Sequence, residues 1–233
     1  DVLVNKTYRL KLSEREAHIK ALQSQISPHF LYNALDSINW NLLEKGDFET
    51  STILIALSET LRYSIDDSKR MVMLKEELHQ VENYLKIQKS RFGDRFDYEV
   101  ESDEDTLSVM VPKMILQPLV ENAITHGLED HTNGELLIRT YPIDQGIEIE
   151  VYDTGRGIAK EKLEFIRREM SENPQIADEK DFHLGVANVN NRLKFIYGKK
   201  SGLLIDSIEN EYTKVILHIE LEEEQHEDTG CGR

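Results

Sequence analysis

The stretch Gln23–Asn33, QSQISPHFLYN, places a histidine directly after a proline inside a long helical pattern of apolar residues. A proline in a helix leaves the carbonyl four residues earlier, here that of Ser24, without its amide partner, and it bends the helix. His29 therefore follows a predicted bend, and Asn33 lies one turn further along on the same face. A histidine in such a place is either an ordinary packed or solvated residue or a functional one, and the rest of the chain has to decide between them.

Working outward, residues 1 to about 44 are predicted as one long helix that ends at Gly46, and Asp47 is the predicted N-cap of the next helix. Two further amphipathic helices are predicted at 48–65 and 74–91. Because a hairpin of two amphipathic helices cannot bury its apolar faces alone, pairing with a second copy into a four-helix bundle is the simplest solution. An intramolecular bundle with the third helix is the alternative.

From Phe92 the pattern changes to short alternating segments and helices, which predict an α+β sandwich with a mixed sheet and helices on one face. We predict a helical domain at 1–92, a second domain at 93–222 and a disordered acidic tail at 223–233. A polar segment at 171–182 is predicted to be a mobile loop. The predicted strands are 96–101, 107–111, 136–141, 147–152, 203–208 and 214–221, and the predicted helices are 113–127, 160–170 and 184–197.

Composition excludes several classes of function. With 44 acidic against 28 basic residues the formal charge is −16, which argues against nucleic-acid binding. An anionic ligand would need local positive groups, namely backbone amides, a helix N-terminus or a metal ion. The single cysteine, Cys231, permits no internal disulfide and no cysteine-based metal site. No apolar run reaches the roughly 20 residues of a membrane span, and we expect no signal peptide. Since the chain opens within a helical pattern, we expect it to be part of a longer protein.

Three clusters in the second half carry candidate chemistry. The first, Gln117–Gly127, is QPLVENAITHG on a predicted helix, where Asn122 and His126 lie four residues apart and share a face. Such a polar face against a sheet suits a hydrated Mg²⁺ with phosphate oxygens, because Mg²⁺ takes oxygen ligands and keeps several waters. The alternative is an exposed polar face without a ligand.

The second cluster is Val151–Ile158, VYDTGRGI, in which a strand ends at Asp153. Gly155 and Gly157 let the backbone come close to a flat ligand, and the carboxylate can accept a hydrogen bond from an exocyclic amine such as that of adenine. The same pattern also fits a simple tight turn. In the third cluster, His183–Leu193, a flexible loop meets a helix N-terminus at Gly185, which is the geometry of an anion site.

Together and in this order, the clusters resemble the N, G1 and G2 boxes of the Bergerat ATP-binding fold, which gyrase, Hsp90, MutL and histidine kinases share. The segments QISPHFLYN, Leu61–Ser64 (LRYS) and Leu74–Leu78 (LKEEL) resemble the LytS/YesM-like branch of sensor histidine kinases. The resemblance runs from about residue 20 to residue 221 and so covers nearly the whole chain.

The resemblance implies a homodimeric protein histidine kinase of a two-component system that takes its phosphoryl group from Mg²⁺ and ATP. It implies transfer onward to an aspartate on the receiver domain of a response regulator. Intact members carry a sensor and membrane spans, so the chain is expected to be the cytoplasmic portion of a bacterial inner- or plasma-membrane sensor. The resemblance implies that His29 is the phosphoacceptor and that Asn33 orients it. It implies that Asn122 positions Mg²⁺, with Glu121 as a further candidate near the metal, and that Asp153 recognises adenine. Gly155, Gly157 and Gly185 are implied to shape the pocket and its lid, and His126 and Asn188 stand at matching family positions.

Two departures and two rival functions accompany this resemblance. Many histidine kinases have an acidic residue after the phosphoacceptor, whereas this chain has Phe30, so the base that deprotonates His29 is unassigned; His183 replaces the first glycine of the lid. A gyrase- or Hsp90-like ATPase, or an anti-sigma-type serine kinase, is one rival. Those relatives carry a catalytic glutamate four residues before the asparagine, where this chain has Pro118. The other rival is a dimeric scaffold that binds ATP without transferring it.

Overall fold

The computed structural model describes residues 28–66, 68–128, 133–171 and 182–221. The chain divides into two compact units, Asp1–Ile65 and Asp66–Arg233. This division lies earlier than the boundary at 92/93 that we predicted from the sequence. The third predicted helix therefore belongs by its contacts to the second unit and not to the helical one.

The described part of the first unit is a hairpin of helices α1, Pro28–Glu44, and α2, Phe48–Ile65. Gly46 ends α1 with a φ of 73°, and Oδ1 of Asp47 accepts a hydrogen bond from the N–H of Thr50 at 3.1 Å. The predicted cap and turn are thus present. Residues 1–27, with the predicted beginning of the long helix and the carbonyl of Ser24 at the predicted bend, lie outside the described residues.

Few side chains of the hairpin are buried. Ser51 and Ala56 are both 2% exposed, and the Ser51 hydroxyl donates to Oδ1 of Asn39 at 2.6 Å across the two helices. Large apolar side chains nevertheless remain exposed at Phe30, Ile38, Trp40, Phe48, Ile55, Leu57 and Ile65. The hairpin therefore leaves apolar surface that a folded domain normally covers.

The second unit contains a five-stranded mixed sheet and a small two-stranded one. The strands are β1 Met71–Met73, β2 Phe96–Ser102, β3 Met110–Pro112, β4 Gly134–Ile143, β5 Gly146–Asp153, β6 Gly202–Ile208 and β7 Tyr212–Glu220. The large sheet has the order β2-β4-β5-β7-β6, in which β2 and β4 are parallel and the other pairs antiparallel, while β1 pairs antiparallel with β3. The predicted mixed sheet is confirmed.

Helices cover one face of the large sheet. They are α3 Leu74–Phe92, α4 Gln117–Asn122 with a π-helix at Ala123–Leu128, α5 Lys160–Ser171 and α6 Phe182–Tyr197, with short 3₁₀ helices at Gly93–Arg95 and Glu104–Thr106. Strand β5 shows the one-sided burial clearly, because Ile147, Ile149, Val151 and Asp153 are buried while the alternate residues are partly exposed. The second unit thus has a core of its own.

Two local predictions were wrong. The helix predicted from Lys113 begins only at Gln117, because the preceding residues form a turn in which Met114 has a φ of 58°. The strand predicted at 107–111 is shorter and later, at Met110–Pro112, after the 3₁₀ helix that ends at Thr106. Residues 172–181 of the predicted mobile loop and the acidic tail at 223–233 lie outside the described residues.

Candidate functional site

A cavity of about 310 Å³ lies in the second unit, between the helices and the core face of the sheet. Its size is at the lower end of the range for small-molecule sites. Among the predicted site residues, the lining includes Asn122, His126, Asp153 and Gly157. The structure therefore brings residues of the first and second clusters together around one space.

Asp153 is the last residue of β5 and is 3% exposed. Burial raises the pKa of its carboxyl to about 7, while the N–H of Gly155, 3.0 Å from Oδ1, acts in the opposite direction. Thr213 is its partner across the β5–β7 ladder and also lines the cavity. A carboxylate and a hydroxyl on a mostly apolar floor can together bind the polar edge of a flat heterocycle.

Glycines allow the backbone to pack tightly around Asp153. A Cβ on Gly127 would lie 2.3 Å from Oδ1 of Asp153, and a Cβ on Gly155 would lie 2.3 Å from the carbonyl oxygen of Gly127. Gly157 has a φ of 60°, where a side chain is strained. Gly155 and Gly157 are thus required by the geometry of this turn, and Gly127 is a third such position that the sequence analysis did not select.

Asn122 ends α4 exactly where the π-helix begins, and π-helical turns are frequent at functional sites. Its Nδ2 is buried and has no hydrogen-bond partner among the described residues. A Cβ on Gly185 of α6 would lie 3.6 Å from this Nδ2, so the third cluster also meets the site. A buried amide without a partner is costly, so this Nδ2 is available for a contact with a water molecule or a ligand.

The residues present fit a magnesium ion bound together with phosphates. Among the described residues no group of three or more histidine, cysteine or acidic side chains is able to hold a metal. Mg²⁺ is usually held by one or two protein groups, substrate phosphates and water, so Oδ1 of Asn122 suffices as a protein ligand. Glu121, next to it, accepts a hydrogen bond from Nε2 of Gln117 at 2.8 Å.

A buried carboxylate holds the turn in front of α4. Glu77 of α3 is 1% exposed and accepts hydrogen bonds from the N–H groups of Met114, Ile115 and Leu116 at 2.6, 2.8 and 3.2 Å. Nη1 of Arg192 in α6 donates to the Lys113 carbonyl of the same turn at 2.7 Å. Helices α3 and α6 therefore fix where α4, and with it Asn122, begins.

Sequence reasoning missed the role of Glu77, although a signal was available. Glu77 stands three residues after Leu74 and four before Val81, which puts an acid on the apolar face of α3. It also missed Thr213, which has no local motif, and the cavity-lining cations Arg156 and Lys162. Four of the predicted site residues of the second unit are outside the lining, namely Glu121, Gly155, Gly185 and the exposed Asn188.

In the first unit, His29 and Asn33 form a pair on the exposed face of α1. Nδ2 of Asn33 lies 3.3 Å from Nδ1 of His29, as expected for residues four apart on a helix. The imidazole is exposed, and its Nε2 takes no part in this contact. An accessible ring nitrogen beside an orienting amide is suited to nucleophilic chemistry.

Comparison with known proteins identifies the family of both halves of the chain. Residues 17–96 match the family model described as histidine kinase, and residues 108–223 match that of the histidine kinase-, DNA gyrase B- and HSP90-like ATPases. The sensor protein kinase HptS of Staphylococcus aureus strain USA300 is 34% identical over 207 residues. The chain belongs to the histidine kinase family. The match to the first model favours this family over the gyrase- and Hsp90-like ATPases, which share only the second.

The alignment with HptS covers 89% of this chain but only 39% of HptS, so the chain spans less than half the length of that curated relative. Among solved structures, the histidine kinase domain of an Erythrobacter litoralis blue-light activated histidine kinase is similar, with 16% identity, a TM-score of 0.47, and coverage of 88% of this chain and 95% of that one. The catalytic domain of the histidine kinase ThkA is similar over 64% of this chain and 93% of that one, with 18% identity and a TM-score of 0.46.

None of the helices within the described ranges is both long enough and apolar enough to cross a membrane.

Proposed function

We propose that this chain binds Mg²⁺ and ATP in the cavity of its second unit and transfers the γ-phosphoryl group to His29. The observation that carries the proposal is the cavity itself, where the buried carboxylate of Asp153 and the unpartnered amide of Asn122 line one space. In this proposal Asp153 accepts a hydrogen bond from the adenine amine, and Asn122 and His126 face the phosphates. Gly155 and Gly157 shape the turn that holds Asp153, and Gly185 shapes the side of the pocket next to Asn122.

The proposed reaction is an in-line displacement at the γ-phosphorus. The lone pair of Nε2 of His29 forms the new P–N bond while the bond from the γ-phosphorus to the bridging oxygen breaks, and that electron pair leaves on the β-phosphate of ADP. The proton on Nδ1 then passes to water, which leaves a neutral imidazole ring that carries the negatively charged phosphoryl group. A neutral imidazole needs little activation because its ordinary pKa is near 6.5. Mg²⁺, when bound, offsets the charge of the phosphate oxygens.

Asn33 is proposed to select the reactive tautomer of His29. Attack through Nε2 requires the tautomer in which Nδ1 carries the proton. An acceptor beside Nδ1–H stabilises this tautomer. The amide of Asn33 provides either a donor or an acceptor to Nδ1, according to which of its two ends faces the ring. In the structure Nδ2 faces Nδ1 at 3.3 Å; rotating the amide by half a turn brings Oδ1 to Nδ1–H, and the lone pair then stays on Nε2, the ring nitrogen outside this contact.

The remaining partners follow from the family. We propose that two copies pair through the apolar surface of the hairpin and that the phosphoryl group passes from His29 to an aspartate of a response-regulator receiver domain. A receiver aspartate is a suitable acceptor because the P–N bond of phosphohistidine is labile. The whole protein is proposed to be a bacterial membrane sensor of which this chain is the cytoplasmic portion. A scaffold that binds ATP without transferring it lacks a use for the exposed His29–Asn33 pair.

Incubation with γ-labelled ATP and Mg²⁺ tests the proposal. We expect a phosphoprotein whose label is lost in acid and kept in alkali, as the P–N bond of a phosphohistidine requires. An acid-stable label would indicate a hydroxyl acceptor, and ATP binding without label would indicate the scaffold.

A further inference from the structure

Arg62 of α2 lies close to the phosphoacceptor region of the hairpin. Its guanidinium carbon is 4.6 Å from the centroid of the Tyr32 ring, and its Nη2 is 3.7 Å from Oδ2 of Asp36. Tyr32 follows His29 by three residues and Asp36 follows it by seven, so all three lie on one face of α1. Tyr32, on which the guanidinium stacks, lies about 4.5 Å of helix rise beyond His29.

The charge of the hairpin makes this placement significant. Between residues 28 and 65 the sequence has five acidic side chains but, besides His29, only two basic ones, Lys45 and Arg62. Lys45 lies at the turn, at the opposite end of α1 from His29. Arg62 is thus the strong cation of this hairpin at the His29 end. Three of the five acids lie near the turn, so the charge that Arg62 offsets towards the His29 end is that of Asp36 and Glu59.

The contacts of Arg62 restrain its side chain but contribute little to stability. The side chain of Arg62 is 53% exposed and that of Asp36 58%, and exposed ion pairs of this kind contribute little to stability. The stack on Tyr32 restrains the guanidinium over the tyrosine ring, and such a stack uses the face of the guanidinium rather than its N–H groups. A guanidinium fork matches the geometry of a phosphoryl group and binds it with two parallel hydrogen bonds.

We propose that Arg62 is a catalytic residue of the hairpin, which leaves Asp36 and binds the phosphoryl group during its transfer to Nε2 of His29. This role rests on the function proposed above. Arg62 forms no covalent bond and takes no proton. It offsets the negative charge of the equatorial oxygens while the P–N bond forms and the bond to ADP breaks, and it keeps this contact with the phosphohistidine product.

The test compares autophosphorylation of the whole chain with that of Arg62→Gln, Arg62→Lys and Lys45→Gln variants. Lys45→Gln is the matched control, because it removes one positive charge from the same hairpin at the far end. We expect Arg62→Gln to lower kcat roughly tenfold to a hundredfold while the KM for ATP stays within about twofold. Arg62→Lys is expected to recover part of the rate, and Lys45→Gln to match the wild type.

A fourth variant, Asp36→Asn, keeps Arg62 and removes its competing partner, so it tests the proposal even if loss of Arg62 perturbs folding. We expect it to raise kcat by about twofold or more, and an unchanged or lower rate would overturn the proposal. Equal rates in Arg62→Gln and Lys45→Gln, or no recovery in Arg62→Lys, would also overturn it. A wild-type chain that takes up no acid-labile phosphate would contradict the proposed function itself, which separates the two failures.

Discussion

The hairpin and the sheet unit differ in how their apolar residues are covered. In the described part of the hairpin only Ser51 and Ala56 are buried, while Trp40 is 69% exposed and Phe48 67% exposed. In the sheet unit, by contrast, Leu74, Val111, Ile149 and Leu217 are completely buried. The sheet unit provides its own core, whereas the hairpin needs a further surface to cover its apolar side chains.

This difference fits the two functions that we propose, nucleotide binding in the sheet unit and phosphoryl acceptance in the hairpin. A site that must bind a nucleotide selectively benefits from fixed walls, and the sheet unit supplies them through buried anchors such as Glu77. The phosphoacceptor that we propose, His29, must instead be reached by one protein domain after another, and its side chain is exposed. Variants in the two units are therefore expected to lose different properties.

The largest expected effect separates phosphoryl acceptance from nucleotide binding. His29→Gln is expected to abolish acid-labile labelling, because glutamine offers no nucleophilic ring nitrogen, while ATP affinity stays within about twofold. Calorimetry with a non-hydrolysable ATP analogue measures the second quantity. Loss of nucleotide binding in this variant would show that the two functions do not belong to separate units.

The next effect concerns the stability of the sheet unit. Glu77→Ala leaves three N–H groups of the turn before α4 without their acceptor, and we expect a loss of about 3 kcal/mol or more in the free energy of unfolding of this unit. Hydrogen exchange of the β4 and β5 amides measures it, and Trp40, the single tryptophan, reports the hairpin independently.

The matched control for this prediction is Glu76→Ala, on the neighbouring residue of the same helix. Glu76 accepts one hydrogen bond, from the Met73 N–H at 3.3 Å, at the start of α3, so its loss is expected to cost about 1 kcal/mol or less. Equal losses in the two variants would remove Glu77 from its anchoring role.

A third prediction tests whether a second copy covers the hairpin. Leu57 is 37% exposed and belongs to the apolar stripe of α2 that includes Leu61 and Ile65. Leu57→Glu is expected to raise the dimer dissociation constant at least tenfold, because burial of each leucine contributes about 1.5–3 kcal/mol. Sedimentation velocity measures this, with Thr52→Glu on the exposed surface of α2 as control. A wild-type chain that is monomeric at micromolar concentration would contradict the pairing.

The smallest effect is a pH dependence of the sheet unit. In the proposed complex adenine pairs with the ionised form of Asp153, whose pKa is raised to about 7 by burial, so ATP affinity is expected to fall about tenfold between pH 8 and pH 6. The stability of the nucleotide-free unit runs in the opposite direction. Because the folded pKa lies above the ordinary value of 3.8, the stabilising contribution of the protonated acid is lost as pH rises through about 7.

The Asp153→Asn variant separates this carboxyl from other titrating groups. It is expected to bind ATP more weakly by roughly 1–3 kcal/mol at pH 8 and to lose the part of the pH dependence that Asp153 causes. The phosphates of ATP still titrate in this variant, so the contribution of groups other than Asp153 is measured directly. A pH profile identical to that of the wild type would remove Asp153 from adenine recognition.

The sequence predicted local elements well and long-range constraints poorly. Helix α2 matches its predicted bounds of 48–65, since its apolar spacing and the Asp47 cap are local signals. The start of α4 was misplaced because the preceding turn is fixed by Glu77, which lies 37 residues earlier than Met114. Thr213 was missed because its place beside Asp153 depends on the register of two strands, which no local pattern reveals.

The central claim is that an exposed imidazole of the hairpin receives the phosphoryl group, and direct mapping of the phosphate tests it. Digestion of the labelled chain with trypsin in alkali gives a peptide from Ala21 to Lys45 in which His29 is the only histidine. The account predicts that mass spectrometry finds an acid-labile phosphate on His29 of this peptide. Phosphate on a residue of the sheet unit, or on a hydroxyl of the same peptide, would contradict it.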